Sequence, residues 1–220
     1  MKAVIFIDVQ NDFVKNGKLE YGYPQKDIVP DIISFAKECR AKGYMLYATA
    51  DTHNKTIFDN YAVPNSAAEP QPKPISGYLA TLEGEKLPVE HCIEGTFGHR
   101  IVEGLVKDEQ RNVIIPQGHI IDKPTFGSYE LIHCIDNNFV VDGCGKITEM
   151  SKTYGIGESL DEIIIVGFCL SICVIANAIL LRAKYPNVKI TVKKELCGDV
   201  DEESFNAAIK VLQMQQIDVV

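Results

Sequence analysis

Short runs of aliphatic and β-branched residues alternate along this chain with longer amphipathic segments. The apolar runs predict strands at 2–8 (KAVIFID), 44–50 (YMLYATA), 112–116 (NVIIP), 162–167 (EIIIVG) and 188–193 (VKITVK), with a short edge strand at 217–220 (IDVV). The amphipathic segments predict helices at 27–42, 172–185 and 201–214, the first of which ends at Gly43. This alternation is typical of a parallel sheet covered by helices on both faces, so the predicted fold class is α/β.

Two irregular stretches interrupt this rhythm. The segment 61–78 (YAVPNSAAEPQPKPISGY) is rich in proline, whose ring fixes extended geometry and removes a backbone donor. It predicts a long loop that could cover a site. The segment 137–158 precedes the strand at 162–167, and long loops inside a compact domain are often lids or contact surfaces. The sequence leaves these two roles open.

Size and composition narrow the class of protein. A chain of 220 residues with 46% apolar and 24% charged residues predicts a single globular domain over 1–220. Its net charge of −8 makes nucleic acid an unfavourable partner. The longest apolar stretch, 163–181, contains glycine, serine and asparagine, which favours a buried strand and helix over a membrane span.

The cysteines indicate a cellular compartment. The chain has seven cysteines, an odd number, and none of them forms a CxxC pair. Neither a disulfide framework nor a zinc ribbon is therefore predicted. The first residues, MKAVIFID, become charged too early for a secretory signal and are predicted to form a strand. Together these features predict a protein of the reducing cytoplasm.

Three chemically useful side chains lie at or after the ends of short apolar runs. In open parallel sheets ligands bind beyond the carboxyl ends of the strands. Asp8 ends the first strand, Lys123 follows the run GHIID, and Cys173 begins the helix after EIIIVG. The predicted fold allows all three to converge on one edge of the sheet.

Cys173 is predicted to be a nucleophile. Ser171 is a candidate N-cap that would place Cys173 in the first helical turn, where free amides and the helix dipole favour thiolate over thiol. Amides between Cys169 and Cys173 could stabilise an oxyanion. The alternative is that Cys173 is a buried small apolar residue, the usual role of a free cysteine.

Asp8 and Lys123 form a candidate acid/base pair. A carboxylate at the end of an apolar strand needs a partner, and burial also raises its pKa towards a range useful for proton transfer. Lys123 is the natural partner. The alternative is a buried ion pair that only holds a loop in place.

A second set of residues has the chemistry of a metal site. Asp51 and His53 form an Asp-x-His sequence after the second strand, and His91 follows the proline-rich stretch. One carboxylate and two imidazoles form a partial shell for Zn²⁺, Fe²⁺ or Mn²⁺. The alternative is a surface Asp-x-His and an unrelated histidine. The remaining histidines, which are His99, His119 and His133, are predicted to be structural or solvent-facing.

Five segments in this order resemble a known family. They are FIDVQNDF, TADTH, LPVEHCIEGT, KPTFGS and VGFCLSICV, and they resemble the isochorismatase-like cysteine hydrolases, in particular the nicotinamidases. The resemblance implies a three-layer α/β/α sandwich with a central, mainly parallel sheet. It implies that Cys173 is the nucleophile, Asp8 the acid/base carboxylate and Lys123 the catalytic lysine. It also implies a cis peptide between Phe168 and Cys169 that aims the amides of Cys169 and Cys173 at the oxyanion.

The resemblance also bears on ligands and partners. It implies a small carboxamide substrate and a divalent metal, zinc with iron or manganese as alternatives, held by Asp51, His53 and His91. Glu83 or Glu85 is an additional candidate ligand. Aromatic candidates for contact with the substrate ring are Phe13 and Phe126. Relatives often form dimers or tetramers, so a homo-oligomer is expected.

Departures from the family pattern leave the substrate open. Leu170 and Ser171 stand where the family has Thr-Asp before the nucleophile, and the chain has Leu87 and no tryptophan in the metal loop. One alternative keeps the same triad but acts on another small amide, an N-carbamoyl or a ureido compound. An alternative of a different class is a flavodoxin-like binding module without chemistry.

Overall fold

The structure is a computed structural model that describes residues 1–53, 89–137, 139–141, 147–149 and 160–220. Its centre is a six-stranded sheet in the order β3-β2-β1-β6-β7-β8, in which all neighbouring strands are parallel. The strands are β1 (Lys2–Ile7), β2 (Met45–Asp51), β3 (Ile120–Lys123), β6 (Glu162–Gly167), β7 (Lys189–Cys197) and β8 (Asp218–Val219). A separate antiparallel pair joins β4 (Phe139–Val141) and β5 (Ile147–Glu149).

Helices connect the strands of the large sheet. The α-helices are α1 (Val29–Ala41), α2 (Glu103–Val106), α3 (Tyr129–Asn137), α4 (Ile175–Lys184) and α5 (Glu202–Met214). A 3₁₀ turn at Gln117–His119 leads into β3, and a π-helical turn at Leu170–Val174 leads into α4. None of the described helices has the length and apolar character needed to cross a bilayer.

Two hydrophobic cores lie on opposite faces of the sheet, because successive side chains of a buried strand point to opposite sides. Ala3, Ile5 and Ile7 pack with residues of α3, α4 and α5. Val4 and Phe6 pack on the other face with residues of α1 and α2. The predicted three-layer α/β/α sandwich with a parallel sheet is therefore confirmed.

The central strands β1 and β6 approach closely where both end. Ile7 pairs with Gly167, whose φ of +125° is unfavourable for other residues. A Cβ atom at Gly167 would lie 2.0 Å from the carbonyl oxygen of Ile7. Glycine is therefore required here, immediately before the turn that carries Cys173.

The prediction of a strand at 112–116 is wrong. Ile114 and Ile115 are buried, but their amides donate to the carbonyls of Val106 and Leu105 rather than to a neighbouring strand. The sheet is extended instead by residues 120–123, which pair with residues 48–51 of β2. Both stretches contain a pair of isoleucines beside polar residues, so local pattern does not distinguish them. Pro116 and the 3₁₀ turn separate the two runs.

Other predicted elements differ mainly at their ends. The helix predicted at 172–185 is a π-helical turn followed by α4, and the helices predicted at 27–42 and 201–214 begin at Val29 and Glu202. The predicted loop at 61–78 lies outside the described residues. Part of the irregular stretch 137–158 forms the β4–β5 pair, and most of the rest of it is also outside the described residues.

Candidate active site

Asp8, Lys123 and Cys173 meet at the carboxyl end of the sheet. Asp8 directly follows β1, Lys123 is the last residue of β3, and Cys173 lies in the turn after β6. Asp8 and Lys123 are 0% exposed and Cys173 is 6% exposed. The topology explains this meeting, because parallel strands bring their carboxyl ends to the same edge.

Lys123 is at the centre of this group. Its Nζ lies 2.8 Å from Oδ2 of Asp8 and 3.5 Å from Sγ of Cys173. The other Asp8 oxygen, Oδ1, accepts a hydrogen bond of 2.6 Å from the Thr49 hydroxyl. Asp8 has a φ of 49°, a left-handed conformation that turns the chain as it leaves the strand. The carboxylate is therefore held from two sides.

Burial and mutual charge shift the pKa values of all three groups. Burial raises the pKa of Asp8, and Lys123 only partly opposes this effect. Burial by itself would lower the pKa of Lys123, but the negative charges of Asp8, Cys173 and Asp51 outweigh it and the pKa is raised. Burial also raises the pKa of Cys173, with Lys123 opposing and the Asp8 and Asp51 charges reinforcing the rise. The group therefore holds Lys123 charged and retains a proton on Cys173.

The predicted activation of Cys173 by a helix N-terminus is wrong in two respects. Its thiol pKa is raised rather than lowered, because burial and the Asp8 and Asp51 carboxylates outweigh the Lys123 charge. Ser171 is not an N-cap, since the turn begins after Cys169 without a side-chain cap. The Ser171 hydroxyl donates instead to Oδ1 of Asp199 at 2.7 Å. The peptide between Phe168 and Cys169 is cis, as the resemblance implied.

The candidate metal ligands Asp51, His53 and His91 also come together. Their ligand atoms lie within 4.8 Å of one another, and all three residues are buried. Oδ2 of Asp51 lies 2.9 Å from Nε2 of His53 and 3.3 Å from Nε2 of His91. Burial raises the pKa of Asp51, but the two imidazoles and Lys123 overcome this and hold it well below its ordinary value. This donor set could hold a divalent ion such as zinc.

The metal cluster lies next to the cysteine group, which is the set Asp8, Lys123 and Cys173. Asp51 pairs with Lys123 across β2 and β3, and Lys123 Nζ lies 3.4 Å from Oδ1 of Asp51. One Asp51 oxygen therefore faces Lys123, and the other faces His53 and His91. A molecule bound at the cluster would lie next to the cysteine group.

The two aromatic candidates occupy different environments. The buried Phe13 ring lies 5.3 Å from the His91 ring, centre to centre, and so borders the metal cluster. Phe126 is 42% exposed and lies in the loop after Lys123. Glu83 and Glu85, the candidate additional ligands, lie outside the described residues.

Four polar residues support the site and were not predicted. Gln10 holds the Asp51 backbone through two hydrogen bonds, as its side chain donates to the Asp51 carbonyl at 2.8 Å and accepts from the Asp51 amide at 2.7 Å. Asp12 accepts from the amide of Cys92, next to His91, at 2.8 Å. The polar cluster DVQND directly after a buried strand was a signal that could have identified both. Thr49 and Asn177 lie inside regular elements and had no such signal.

The other histidines play structural roles where the structure shows their contacts. Nδ1 of the buried His119 is 2.9 Å from the carbonyl oxygen of Leu46, and its ring stacks on Tyr47. Nε2 of His99 lies 2.8 Å from the Thr52 hydroxyl. His133 lies on an exposed face of α3. None of them belongs to the metal cluster of the described residues.

A family model described as an isochorismatase domain matches residues 2–220. The chain belongs to the isochorismatase family. A nicotinamidase from Saccharomyces cerevisiae is 27% identical to it over 232 residues, which is 100% of this chain and 99% of the relative.

Solved structures agree with the fold. A nicotinamidase/pyrazinamidase from Bacillus subtilis superposes with a TM-score of 0.67 at 18% identity and covers 100% of this chain and 98% of its own. A pyrazinamidase from Pyrococcus horikoshii, solved in complex with zinc, gives a TM-score of 0.56 at 16% identity, covering 100% and 98%.

Proposed function

We propose that this protein is a cysteine-dependent amidohydrolase that converts nicotinamide and water to nicotinate and ammonia, with Cys173 as nucleophile. The observation that carries the proposal is the contact of Lys123 with Asp8, Cys173 and Asp51 in one buried group. Such a group places a thiol, a proton acceptor and a fixed positive charge beside a cluster that can bind a ligand. The full-length relative named a nicotinamidase supports the substrate.

The reaction begins with a proton transfer from Cys173 to Asp8. Oδ2 of Asp8 faces the Lys123 ammonium at 2.8 Å, and the same carboxyl group bonds to Cys173, so it can take the thiol proton. The sulfur then attacks the carboxamide carbon and forms a C–S bond, and the carbonyl π electrons move to oxygen. The amides of Cys169 and Cys173 stabilise this oxyanion, and Lys123 balances the charges.

The remaining steps use the same carboxyl group. Asp8 gives its proton to the departing nitrogen, the C–N bond breaks, and ammonia leaves a thioester on Cys173. Asp8 next removes a proton from water, which attacks the thioester carbon. The C–S bond breaks, the sulfur takes the proton back from Asp8, and the acid product leaves. The raised pKa values of Asp8 and Cys173 suit this exchange, because neither group releases the shared proton to solvent readily.

Asp51, His53 and His91 would hold a divalent metal, zinc by preference. Two imidazoles and a carboxylate suit this ion, and the carboxylate already contacts both rings. When bound, the metal would supply a Lewis acid for the pyridine nitrogen. Phe13, packed beside His91, would then border the substrate ring. Phe126 remains the weaker candidate for this contact, and Glu83 remains a candidate additional ligand.

The substrate alternatives differ in their need for this cluster. An N-carbamoyl or ureido compound has no pyridine nitrogen, so it would lack the nitrogen ligand that a metal held by the cluster would bind. The buried Asp51-His53-His91 group therefore favours nicotinamide. A non-catalytic binding module would not need Cys173 beside Lys123 and Asp8. Cytoplasmic location and assembly into a homo-oligomer remain predictions.

The substitution Cys173→Ala tests the proposed function. We expect ammonia release from nicotinamide to fall by roughly 10³-fold or more, because no nucleophile remains. Cys134→Ala is the matched control, since Cys134 is also 6% exposed but packs in the core at α3. Ammonia release from nicotinamide, pyrazinamide and several ureido acids would be measured for both variants, with circular dichroism as the check on folding. Full activity of folded Cys173→Ala would refute the nucleophile, and release only from ureido acids would refute the substrate.

A further inference from the structure

The buried carboxylate of Asp199 contacts the turn that carries Cys173. Asp199 is 0% exposed and lies in the loop between β7 and α5. Its Oδ2 accepts a hydrogen bond of 2.8 Å from the Ser171 amide. Its Oδ1 accepts one of 2.7 Å from the Ser171 hydroxyl and one of 2.8 Å from the Val200 amide. Both oxygens are therefore used, and two of the three bonds go to one residue of the turn.

The Asp199 backbone is itself firmly held. Its amide donates to the Tyr23 carbonyl at 2.7 Å, and its carbonyl accepts from the Tyr23 amide at 3.0 Å and the Gly22 amide at 2.9 Å. Gly22 and Tyr23 do not belong to the cysteine group. Asp199 thus connects the turn that carries Cys173 to the separate segment that contains Gly22 and Tyr23.

The preceding residue brings the loop close to the start of the turn. The Gly198 carbonyl accepts from the Leu170 amide at 2.8 Å. A Cβ atom at Gly198 would lie 2.6 Å from the Phe168 ring and 3.0 Å from the Tyr21 ring. Phe168 and Tyr21 are stacked at 4.8 Å. The loop therefore approaches both ends of the segment 168–171 and leaves little room for displacement.

We propose that Asp199 is a positioning residue that orders the turn Leu170–Val174, so that Cys173 and the amides around it keep their geometry towards Asp8 and Lys123. The inference rests on the proposed role of Cys173 as nucleophile. Charge-assisted hydrogen bonds are stronger than neutral ones, and small displacements of a nucleophile are costly to catalysis.

The substitution Asp199→Asn tests this role. The asparagine side chain carries no charge. Its NH₂ group replaces one of the two Asp199 oxygens and cannot accept the hydrogen bonds that this oxygen accepts. We expect kcat for ammonia release from nicotinamide to fall roughly 10- to 100-fold with little change in KM, because the contacts of Asp199 lie in the turn and its own loop. Asp201→Asn is the matched control, since Asp201 lies in the same loop but accepts from Ser204 at the start of α5. It should keep the wild-type kcat.

A second readout does not depend on the substrate. Iodoacetamide labelling of Cys173 and Cys134 would be followed by peptide mass spectrometry in each variant. A loosened turn exposes Cys173 alone, so the ratio of Cys173 to Cys134 labelling should rise in Asp199→Asn and not in Asp201→Asn. General destabilisation would raise both rates and leave the ratio unchanged, which would overturn the proposal. A wild-type kcat in Asp199→Asn, or an equal loss in Asp201→Asn, would also overturn it.

The labelling ratio separates this inference from the proposed function. If the wild-type protein releases no ammonia from nicotinamide, the substrate is wrong, but the ratio still decides whether Asp199 orders the turn. If Asp199→Asn does not fold, Ser171→Ala replaces it, because that variant removes the hydroxyl bond and keeps the amide bond. A smaller rise in the ratio is then expected, and an unchanged ratio would overturn the proposal.

Discussion

The three side chains of the cysteine group cannot be treated as independent titrating groups. Lys123 lies between Asp8 and the Cys173 sulfur, and each group changes the charge state that its neighbours prefer. Burial raises the pKa of both Asp8 and Cys173. A thiol that keeps its proton until a substrate arrives is less exposed to unwanted alkylation or oxidation. The acid/base residue therefore restrains the nucleophile that it later activates.

Asp8→Asn should separate reactivity towards alkylating agents from catalysis. Burial raises the Cys173 pKa, and the Asp8 charge raises it further, whereas the Lys123 charge lowers it. Loss of the Asp8 charge therefore lowers the Cys173 pKa, and thiolate forms at lower pH. We expect the pH profile of iodoacetamide labelling to move to lower pH, while ammonia release falls roughly 10²- to 10⁴-fold for lack of a proton acceptor.

The labelling profile would be measured at Cys173 by mass spectrometry over a series of pH values. Asp12→Asn is the control, since it removes a buried carboxylate that holds the Cys92 amide instead. Its Cys173 profile should match the wild type. A profile of Asp8→Asn that stays in place or moves to higher pH would contradict the charge assignment.

At the scale of elements, the site depends on how separate loops are fastened to one another. Asn177 of α4 is 1% exposed and connects two of them. Its Oδ1 accepts from the Ser128 amide at 3.0 Å, and its Nδ2 donates to the carbonyls of Phe126 at 2.9 Å and Cys173 at 2.8 Å. The loop after Lys123 is thereby tied to the helix that follows Cys173.

Asn177→Ala should weaken this connection and destabilise the protein. Three backbone groups lose their partner, and leaving a buried polar group unpaired costs about 1–3 kcal/mol. Urea unfolding should show a loss of at least this order in the free energy of unfolding. Asn112→Ala is the control, because Asn112 makes a similar side-chain bond to Asp108 at an exposed position and should cost less than about 0.5 kcal/mol. Equal stability of the two variants would show that the Asn177 bonds contribute little.

At the scale of the whole molecule, the candidate metal site joins distant parts of the sequence. Asp51 and His53 stand at the end of β2, and His91 comes from a segment far along the chain that forms a bridge between Ile93 and His53. The unfolded chain does not hold these three ligands together. A metal that binds them should therefore stabilise the folded protein.

Zinc addition to chelator-treated protein should raise its melting temperature. At 100 times the dissociation constant the stabilisation is about 2.7 kcal/mol, or roughly 5–10 °C for a protein of this size. Calorimetry would measure this for the wild type, His91→Ala and His133→Ala. His133 is on the exposed side of α3, so its variant should behave as the wild type. The same rise in His91→Ala would place the metal elsewhere.

Local pattern alone was sufficient for most of the fold. Buried β-branched runs and amphipathic segments predicted β1, β2, β6, β7 and three helices to within a few residues, since periodicity reflects the face that each element buries. It failed at 112–116 because sheet membership depends on a partner strand. Residues 112–116 and 120–123 were both candidates for the strand beside β2. Only the pairing in the folded protein shows that the run ending at Lys123 forms it.

The composition of the candidate site followed from the sequence, whereas its electrostatics did not. Asp8, Lys123 and Cys173 were identifiable because each lies at or after the end of a short apolar run, at the edge where parallel sheets place ligands. Whether Cys173 is a thiol, and whether Ser171 caps a helix or bonds to Asp199, depends on burial and on charges from other elements. Position along a chain determines which residues reach an edge, but only the folded surroundings determine their charge and their partners.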